Sequence, residues 1–477
     1  MKLWNIIWIG VVLVCGVGCS SFLDVQPKDK QSEKQLFATR GGFYTAVNGI
    51  YNKMASPALY GKNLSYELVD VISKRYQPLP VNTYLTALST FAYTDENVKK
   101  TLESTWTTAY NTILNCNVVL ENIDESEGVL QEQEYRVLKG EMLAVRAFLH
   151  FDMLRLFGPV YKLHPEAEAI PYNESSKVVA LPLMTADSVL HEKILRDLDE
   201  AEELLADSDP VIENGPMASL EKDEEVYLRY RQLRMNYYAV LGLKARICLY
   251  AKDVTAAYGA ANEVILAQQQ KGLFPWVKTA DITTTEANLR DRTFSSEHLF
   301  AFNTTKLEEY IKGYFREASL PLMERLMPGE LYEADDYRTA LYETYSGFAN
   351  VLTKFWQMDK AYVQGQGYVT PKRNRMPAIR IAEMYYIAAE ALKESNIGEA
   401  LEMLNTLRVH RGLMKLENLD KDQLQEELGR EYYREFIGEG QVFFYHKRMN
   451  TSIIATANAV YVLPMPDDEI DLGQREQ

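Results

Sequence analysis

The chain has 477 residues, and 47% of them are hydrophobic, which is enough apolar material for one or two large cores. Its 51 Lys and Arg residues against 67 Asp and Glu residues give a formal net charge of -16. Such an acidic surface repels phosphate backbones, and no basic run offsets it, so nucleic acid is excluded as a partner. The composition therefore indicates a globular protein whose partners are not polyanions.

The N-terminus carries an apolar stretch that predicts a secretory signal. Residues 1–19 contain about a dozen consecutive apolar residues, too few to span a bilayer as a helix. Val17 and Gly18 stand directly before Cys19, an arrangement that resembles the lipobox of bacterial lipoproteins. We therefore expect residues 1–18 to be a lipoprotein signal peptide and Cys19 to carry lipids that anchor the chain to a membrane. An ordinary cleaved signal with an incidental cysteine is the alternative.

The next part of the chain alternates between predicted helices and one long loop. A polar lead of about residues 19–31 predicts an extended tether, and helical periodicity begins near Ser32. The region of about residues 56–95 is rich in Pro, Tyr and Thr and is predicted to be a loop. Apolar stripes predict further helices from Trp106 to Val118, from Glu134 to Leu154 and across residues 187–205.

Two stretches repeat the same helix hairpin. From Arg380 to Leu413 apolar residues recur at intervals of three and four, and Ser395-Asn396-Ile397-Gly398 supplies a turn between two helices. The stretch from Ala245 to Ile265 aligns with it without gaps and matches Asp253 with Asn396. Paired short helices with small residues at the contact predict tetratricopeptide-like packing, although the full repeat consensus is not met. Any two alanine-rich helix pairs of a bundle are the alternative.

Between the two hairpins, residues 272–377 are less regular. Short β-like runs occur there from Leu299 to Asn303 and from Val351 to Trp356, among loops rich in Gly and Tyr. After the second hairpin, one more helix is predicted from Leu424 to Phe436.

The sequence contains none of the common catalytic motifs: it has no HExxH, no GxSxG, no Walker loop and no CxxC. The six histidines show no spacing of four residues that would suggest a metal pair, so we expect no metal site, no cofactor and no enzyme. With 67 acidic residues, a glycosidase-like carboxylate pair is nevertheless expected by chance. Cys116 and Cys248 are expected to be buried free thiols, with a disulfide as the alternative.

Tyrosines in the predicted loops are the candidates for ligand binding. Loops on a rigid scaffold carry function, and a tyrosine ring offers an apolar face to a sugar together with a polar tip. The five candidates are Tyr76 and Tyr84 in the first loop region and Tyr310, Tyr314 and Tyr345 in the second. For each of them, packing in the core or at its rim is the alternative.

Five segments carry motifs that occur together, and in this order, in one known family. They are Phe22-Leu23-Asp24-Val25-Gln26-Pro27, the helix from Lys139 to Pro159, the hairpin from Arg380 to Leu413, Glu431-Tyr432-Tyr433-Arg434-Glu435-Phe436 with Glu439-Gly440 and Lys447-Arg448, and Leu463-Pro464-Met465-Pro466. The ordered set resembles the SusD/RagB family of outer-membrane nutrient-binding lipoproteins. The chain departs from the family pattern at Tyr432, Tyr433, Val442, Phe443 and Tyr445, and we expect these departures to weaken a polar network near the C-terminal motif.

The resemblance implies a mostly α-helical protein in which residues 19–477 form one SusD-like domain. In such a protein, tetratricopeptide-like helix pairs support an irregular ligand-binding face, which we place in the loop-rich regions of about residues 56–95 and 272–377. The family further implies a lipid-anchored outer-membrane protein, facing the cell surface, that captures an oligosaccharide and passes it to a SusC-like TonB-dependent transporter without catalysis. A peptide or other nutrient as the ligand remains an alternative, as does a helical-repeat interaction protein without a small ligand.

Overall fold

The computed structural model of the chain describes residues 28–126, 128–216, 226–317, 319–323, 330–345, 349–357, 361–365, 367–369, 373–453 and 460–473. The predicted signal peptide and Cys19 lie outside these residues, as does most of the predicted tether. The first described helix begins at Lys28, so the end of the region predicted as an extended tether is helical.

The first part of the fold consists of helices whose ends are set by local side chains. These helices are α1 (Lys28–Leu36), α2 (Arg40–Met54), α3 (Leu68–Ile72), α4 (Thr83–Ser89), α5 (Glu96–Glu125) and α6 (Glu132–Phe157). Asp95 caps α5 by accepting hydrogen bonds from the backbone N–H groups of Asn97 and Val98. Gly158, followed by Pro159, ends α6. α5 and α6 pack along each other as a long hairpin.

The rest of the chain is also mainly helical, which confirms the predicted fold class. α7 comprises Ala186–Ser188, the π-helical turn Val189–Ile194 and Leu195–Ala206. The later helices are α8 (Val211–Asn214), α9 (Tyr237–Tyr250), α10 (Val254–Lys271), α11 (Thr279–Thr283), α12 (Leu307–Ile311, followed by the π-helical turn Lys312–Arg316), α13 (Ile381–Leu392), α14 (Ile397–His410), α15 (Lys421–Glu435), α16 (Gln441–Met449) and α17 (Asp467–Gly473). Short 3-10 turns lie at Val226–Leu228, Arg231–Leu233, Ala287–Leu289, Ser295–Glu297 and Tyr337–Leu341.

The two predicted hairpins are confirmed, and they pack against each other. α9 and α10 form the first hairpin, α13 and α14 form the second, and α10 contacts α13. Asp253 and Asn396, which the sequence alignment matched, are both N-caps and accept hydrogen bonds from the backbone N–H groups of Ala256 and Glu399. Because α6 also packs on α7 and α7 on α9, the helix pairs form one continuous stack. No helix in the described part of the chain is long and apolar enough to cross a membrane.

Short antiparallel ladders lie between the helices. Within the described residues, β1 (Glu168–Ile170) pairs with β2 (Met184–Thr185), β3 (His298–Asn303) with β8 (Arg375–Arg380), β4 (Tyr342–Tyr345) with β5 (Ala349–Leu352), and β6 (Ala361–Val363) with β7 (Gly367–Val369). β3 lies where the sequence predicts a β-like run, whereas β5 covers only Val351 and Leu352 of the second predicted run. β8 leads directly into α13, so the β3–β8 ladder joins the irregular region 272–377 to the helix stack.

A buried network of ion pairs connects the C-terminal motif to the rest of the fold. Glu435, on α15, accepts hydrogen bonds from Arg338 (3.0 Å), Arg380 (2.6 Å) and Arg411 (2.7 Å). All four side chains are fully buried. Burial by itself raises the pKa of Glu435, but the charges of Arg411 and Arg380 outweigh burial and hold this pKa well below its ordinary value.

The expectation that the departures from the family pattern weaken this network is wrong. The arginines that pair with the motif come from other segments of the chain, at Arg338, Arg380, Arg408 and Arg411. Tyr432, Tyr433, Val442, Phe443 and Tyr445 are instead buried side chains that pack between the helices.

Candidate ligand-binding site

Three side chains from the two loop-rich regions, Lys62, Tyr84 and Tyr314, meet around one buried carboxylate, Glu67. Lys62 Nζ lies 2.7 Å from Glu67 Oε1, and the hydroxyl of Tyr84 donates to the same oxygen at 2.9 Å. Tyr314 lies close to Glu67: next to burial, the negative charge of this carboxylate is the largest cause that raises the pKa of the tyrosine. The ammonium group of Lys62 lies 5.8 Å from the centre of the Tyr314 ring, within cation–π range. We call Lys62, Glu67, Tyr84 and Tyr314 the Glu67 cluster.

Local structure explains how each member reaches this point. Glu67 stands directly before α3, and Tyr84 lies in the first turn of α4, whose N-terminus is capped by Asn82. Tyr314 lies in the π-helical turn that follows α12. A π-helical turn inserts one extra residue into a helix and redirects its side chains, and such turns occur frequently at functional sites.

The electrostatics of the cluster keep both tyrosines neutral. Burial, followed by the negative charge of Glu67, raises the pKa of Tyr84 far above its ordinary value, and the same two causes raise the pKa of Tyr314. The hydroxyl protons of both residues are therefore retained at all physiological pH values, and Tyr84 donates its proton to Glu67.

Aromatic side chains surround the cluster and fix the position of its rings. Tyr66 packs edge-on against Tyr314, with 5.9 Å between the ring centres, and against Phe315, with 5.3 Å. Tyr66 and Phe315 are fully buried, whereas Lys62, Tyr84 and Tyr314 are half-buried and reach the surface. The cluster therefore presents two rigidly held tyrosines and one ammonium group to solvent.

The structure separates the five tyrosines predicted from the sequence. It brings Tyr84 and Tyr314 together, and it places Tyr310, also half-buried, one helical turn before Tyr314. Tyr76 is 1% exposed and packs against Phe315, so the prediction that it contacts a ligand is wrong. The backbone of Tyr345 lies in β4, but its side chain lies outside the described part of the structure.

The sequence prediction missed Lys62 and Glu67, which form the polar centre of the cluster. Both lie in the first predicted loop region, and their charges were the only available signal. Their spacing of five residues matches no helical or strand pairing rule, so nothing in the sequence links them to each other or to the tyrosines.

Other sequence predictions concern packing rather than the site. Cys116 and Cys248 are confirmed as buried free thiols, and burial raises the pKa of Cys116 to about 12. Trp106 is buried against Phe157, as its helical spacing with Tyr110 predicts for a core residue.

The cluster combines the groups that a polar ligand with an apolar face requires. Tyrosine rings cover apolar surface, and their position is set by packing rather than by the ligand. The carboxylate of Glu67 and the ammonium group of Lys62 are able to form hydrogen bonds to the hydroxyls of a ligand. Because these two groups pair with each other, the cluster has no unpaired charge. This arrangement suits a neutral, hydroxyl-rich molecule.

Two family models match the chain. The model described as starch-binding and associating with the outer membrane matches residues 21–215, and the model described as the SusD family matches residues 278–458. The chain belongs to the SusD/RagB family. The first match includes Lys62, Glu67 and Tyr84 and the second includes Tyr314, so both halves of the cluster lie within SusD-like sequence.

Individual SusD proteins resemble the chain over most of its length. SusD-like protein P2 of Formosa agariphila is 24% identical over 466 residues, which cover 90% of this chain and 86% of the relative. A SusD superfamily protein from Bacteroides vulgatus superposes with a TM-score of 0.71 at 22% identity, over 92% of this chain and 98% of that protein. A laminarin-binding SusD-like protein superposes with a TM-score of 0.67 at 18% identity, over 92% and 99%. These superpositions establish the SusD fold.

Proposed function

We propose that this SusD-family protein captures an oligosaccharide at the Glu67 cluster and delivers it to a partner SusC-like TonB-dependent transporter. Lipids on Cys19 hold the protein at the outer membrane, on the side that faces the cell surface. The protein binds its ligand and performs no chemistry on it.

The observation that carries this proposal is the convergence of Tyr84 and Tyr314 on Glu67. The two tyrosines come from distant segments: the hydroxyl of Tyr84 donates to Glu67, and Tyr314 lies close enough for the charge of Glu67 to act on it while its ring packs against Tyr66. The site therefore exists before the ligand arrives, and a preformed site binds more tightly because little entropy is lost on ordering it. The half-buried rings and the Lys62 ammonium group are available to a sugar ring and its hydroxyls.

The family supports the same assignment. One matching model describes starch binding and association with the outer membrane, and one structural neighbour binds laminarin. The delivery step and the transporter partner rest on the family resemblance, and recovery of a TonB-dependent transporter with the affinity-purified protein from outer membranes is the matching test.

Calorimetric titration of the purified protein tests the ligand assignment. A panel of neutral oligosaccharides is titrated alongside a panel of peptides, and we expect heat of binding from at least one glycan. Replacement of Tyr84 by alanine removes one ring and one hydrogen bond to Glu67, and we expect it to weaken that binding about tenfold or more.

The matched control is Tyr135→Ala, which removes a tyrosine of α6 whose hydroxyl bonds to Asp124, outside the cluster. This variant should bind like the wild type. Binding of a peptide but of no glycan would overturn the oligosaccharide assignment, and equal affinities of wild type and Tyr84→Ala would overturn the location of the site.

A further inference from the structure

A small internal cavity lies where four helices of the stack meet the C-terminal motif. Its walls include Arg246 and Tyr250 of α9, Glu383 of α13, and Phe444 of α16. Its volume is about 30 Å3, which holds a water molecule or one small ion but no organic ligand. The cavity is remote in sequence from the Glu67 cluster, and no lining residue belongs to that cluster.

Two buried donors in this cavity have no partner among the described residues. Arg246 forms a bidentate pair with Glu383 through Nε and Nη2, at 2.6 Å each, but its Nη1 has no hydrogen-bond partner. The hydroxyl of Tyr250 donates no hydrogen bond within the described residues, and the backbone N–H of Tyr161 faces its oxygen. Arg246 is 6% exposed and Tyr250 is 4% exposed. An unpaired buried donor costs about 1–3 kcal/mol.

Paired charged side chains surround the cavity. Arg155, Arg246 and Arg448 line it, and each is paired with one carboxylate, at Asp152, Glu383 and Glu390. Lys447 lies close by, fully buried, and donates to the carbonyl oxygens of Gly158 (2.7 Å) and Leu156 (3.4 Å) rather than to a carboxylate. Burial is the main reason why the pKa of Lys447 lies well below its ordinary value, and the charge of Arg155 is the second reason.

We propose that the cavity binds one small monovalent anion, such as chloride, through Arg246 Nη1 and the Tyr250 hydroxyl. Both unpaired groups are donors, and an anion accepts hydrogen bonds from both. A water molecule can also accept from both donors and give its own protons to the Glu383 carboxylate, which lines the same cavity. The identity of the occupant is therefore decided by diffraction.

Bound in this position, the anion gives a partner to two buried donors of α9. The proposal therefore predicts a stability that depends on halide concentration. It does not depend on the ligand of the Glu67 cluster, and its failure would leave the oligosaccharide proposal unchanged.

The first test locates the ion directly. Crystals of the protein are grown without halide and soaked in sodium bromide, and anomalous diffraction is recorded at the bromine edge. We expect an anomalous peak between Arg246 and Tyr250. A cavity that contains only water, or nothing, overturns the proposal.

The second test measures the melting temperature of the protein in sodium chloride and in sodium gluconate at equal ionic strength. Gluconate is the comparison because it is too large for the cavity. We expect chloride to raise the melting temperature of the wild type above that in gluconate. Tyr250→Phe removes one hydrogen bond to a charged acceptor, so roughly tenfold more chloride should be needed for the same effect. Tyr258→Phe, on α10 and outside the cavity, serves as the control and should respond like the wild type.

The sign of the change in stability caused by Tyr250→Phe distinguishes an unpaired hydroxyl from one that binds an anion. If the hydroxyl is unpaired, its removal stabilises the protein in both salts, because one buried polar group without a partner is lost. If the hydroxyl binds an anion, its removal destabilises the protein in chloride. Equal responses of the wild type to the two salts, or stabilisation by Tyr250→Phe in chloride, would contradict the proposal.

Discussion

Replacement of Glu431 by glutamine tests how strongly the buried ion network stabilises the fold. Oε2 of Glu431 accepts hydrogen bonds from Arg338 and from the hydroxyl of Tyr386, at 2.8 Å each, and Oε1 accepts from Arg434 at 2.7 Å. The carboxylate is fully buried, so water does not replace these partners. Glutamine keeps the size of the side chain but removes the negative charge. Its NH2 group replaces one carboxylate oxygen, so a hydrogen-bond donor faces the N–H donors of the arginines.

The expected loss follows from the pKa of Glu431. Burial by itself raises this pKa, but the charges of Arg338 and Arg434 and their hydrogen bonds outweigh burial and lower the pKa from 4.5 to about 2. That difference corresponds to roughly 3 kcal/mol of the free energy of unfolding at neutral pH. Since the pKa is lower in the folded state, the stabilisation is complete above 4.5 and is lost as the pH falls toward 2.

Urea unfolding followed by circular dichroism measures this effect. At about pH 7, Glu431→Gln should lower the free energy of unfolding by roughly 3 kcal/mol, and the gap to the wild type should narrow as the pH falls below about 4.5. Glu426→Gln is the control, because Glu426 lies on the exposed face of the same helix and pairs only with Arg430 at the surface; we expect it to cost less than about 0.5 kcal/mol. A loss below about 1 kcal/mol for Glu431→Gln, or a gap that stays constant down to about pH 3.5, would refute the reasoning.

Three further predictions concern the anchor, the repeat and a tight turn. Cys19→Ala should leave the protein unacylated and released from membranes, as fractionation would show, and membrane retention of this variant would contradict the anchor. Asp253→Ala and Asn396→Ala each remove an N-cap and should lower the free energy of unfolding by about 1 kcal/mol, whereas a negligible loss would contradict the capping roles. Gly440→Ala should cost at least about 2 kcal/mol, because φ is +71° and a Cβ would lie 2.4 Å from the carbonyl oxygen of Leu64; wild-type stability would contradict this geometry.

The helix hairpins could be predicted from the sequence because their determinants are local. Apolar periodicity identified the helices, and the alignment of Asp253 with Asn396 anticipated that both start a second helix. Small residues at matched positions, such as Ala257 and Ala400, are both fully buried at helix contacts. Such features depend on residues within one or two helical turns, which a single sequence displays.

The ligand-binding cluster could be predicted only in part because burial depends on contacts between distant segments. Tyr76 and Tyr84 occur in the same predicted loop, yet Tyr76 packs in the core and Tyr84 reaches the surface. Tyr84 and Tyr314 both lie next to Glu67 although they are far apart in the sequence. The arginine partners of Glu435 could not be predicted from the sequence for the same reason, because no local pattern links Arg338 or Arg411 to the motif.

The C-terminal motif connects the two loop-rich regions that contribute to the Glu67 cluster. The backbone N–H of Gly438 donates to Asp70 of the first loop-rich region at 2.7 Å. Lys354, of the second region, donates to the carbonyl oxygen of Ile437 at 3.0 Å and pairs with Glu439. Asp70 follows Glu67 within one helical turn, so the turn at residues 436–440 holds one side of the Glu67 cluster in place relative to the region that contributes Tyr314. In the proposed function, the motif therefore affects binding through the position of the Glu67 cluster, without contact to the ligand.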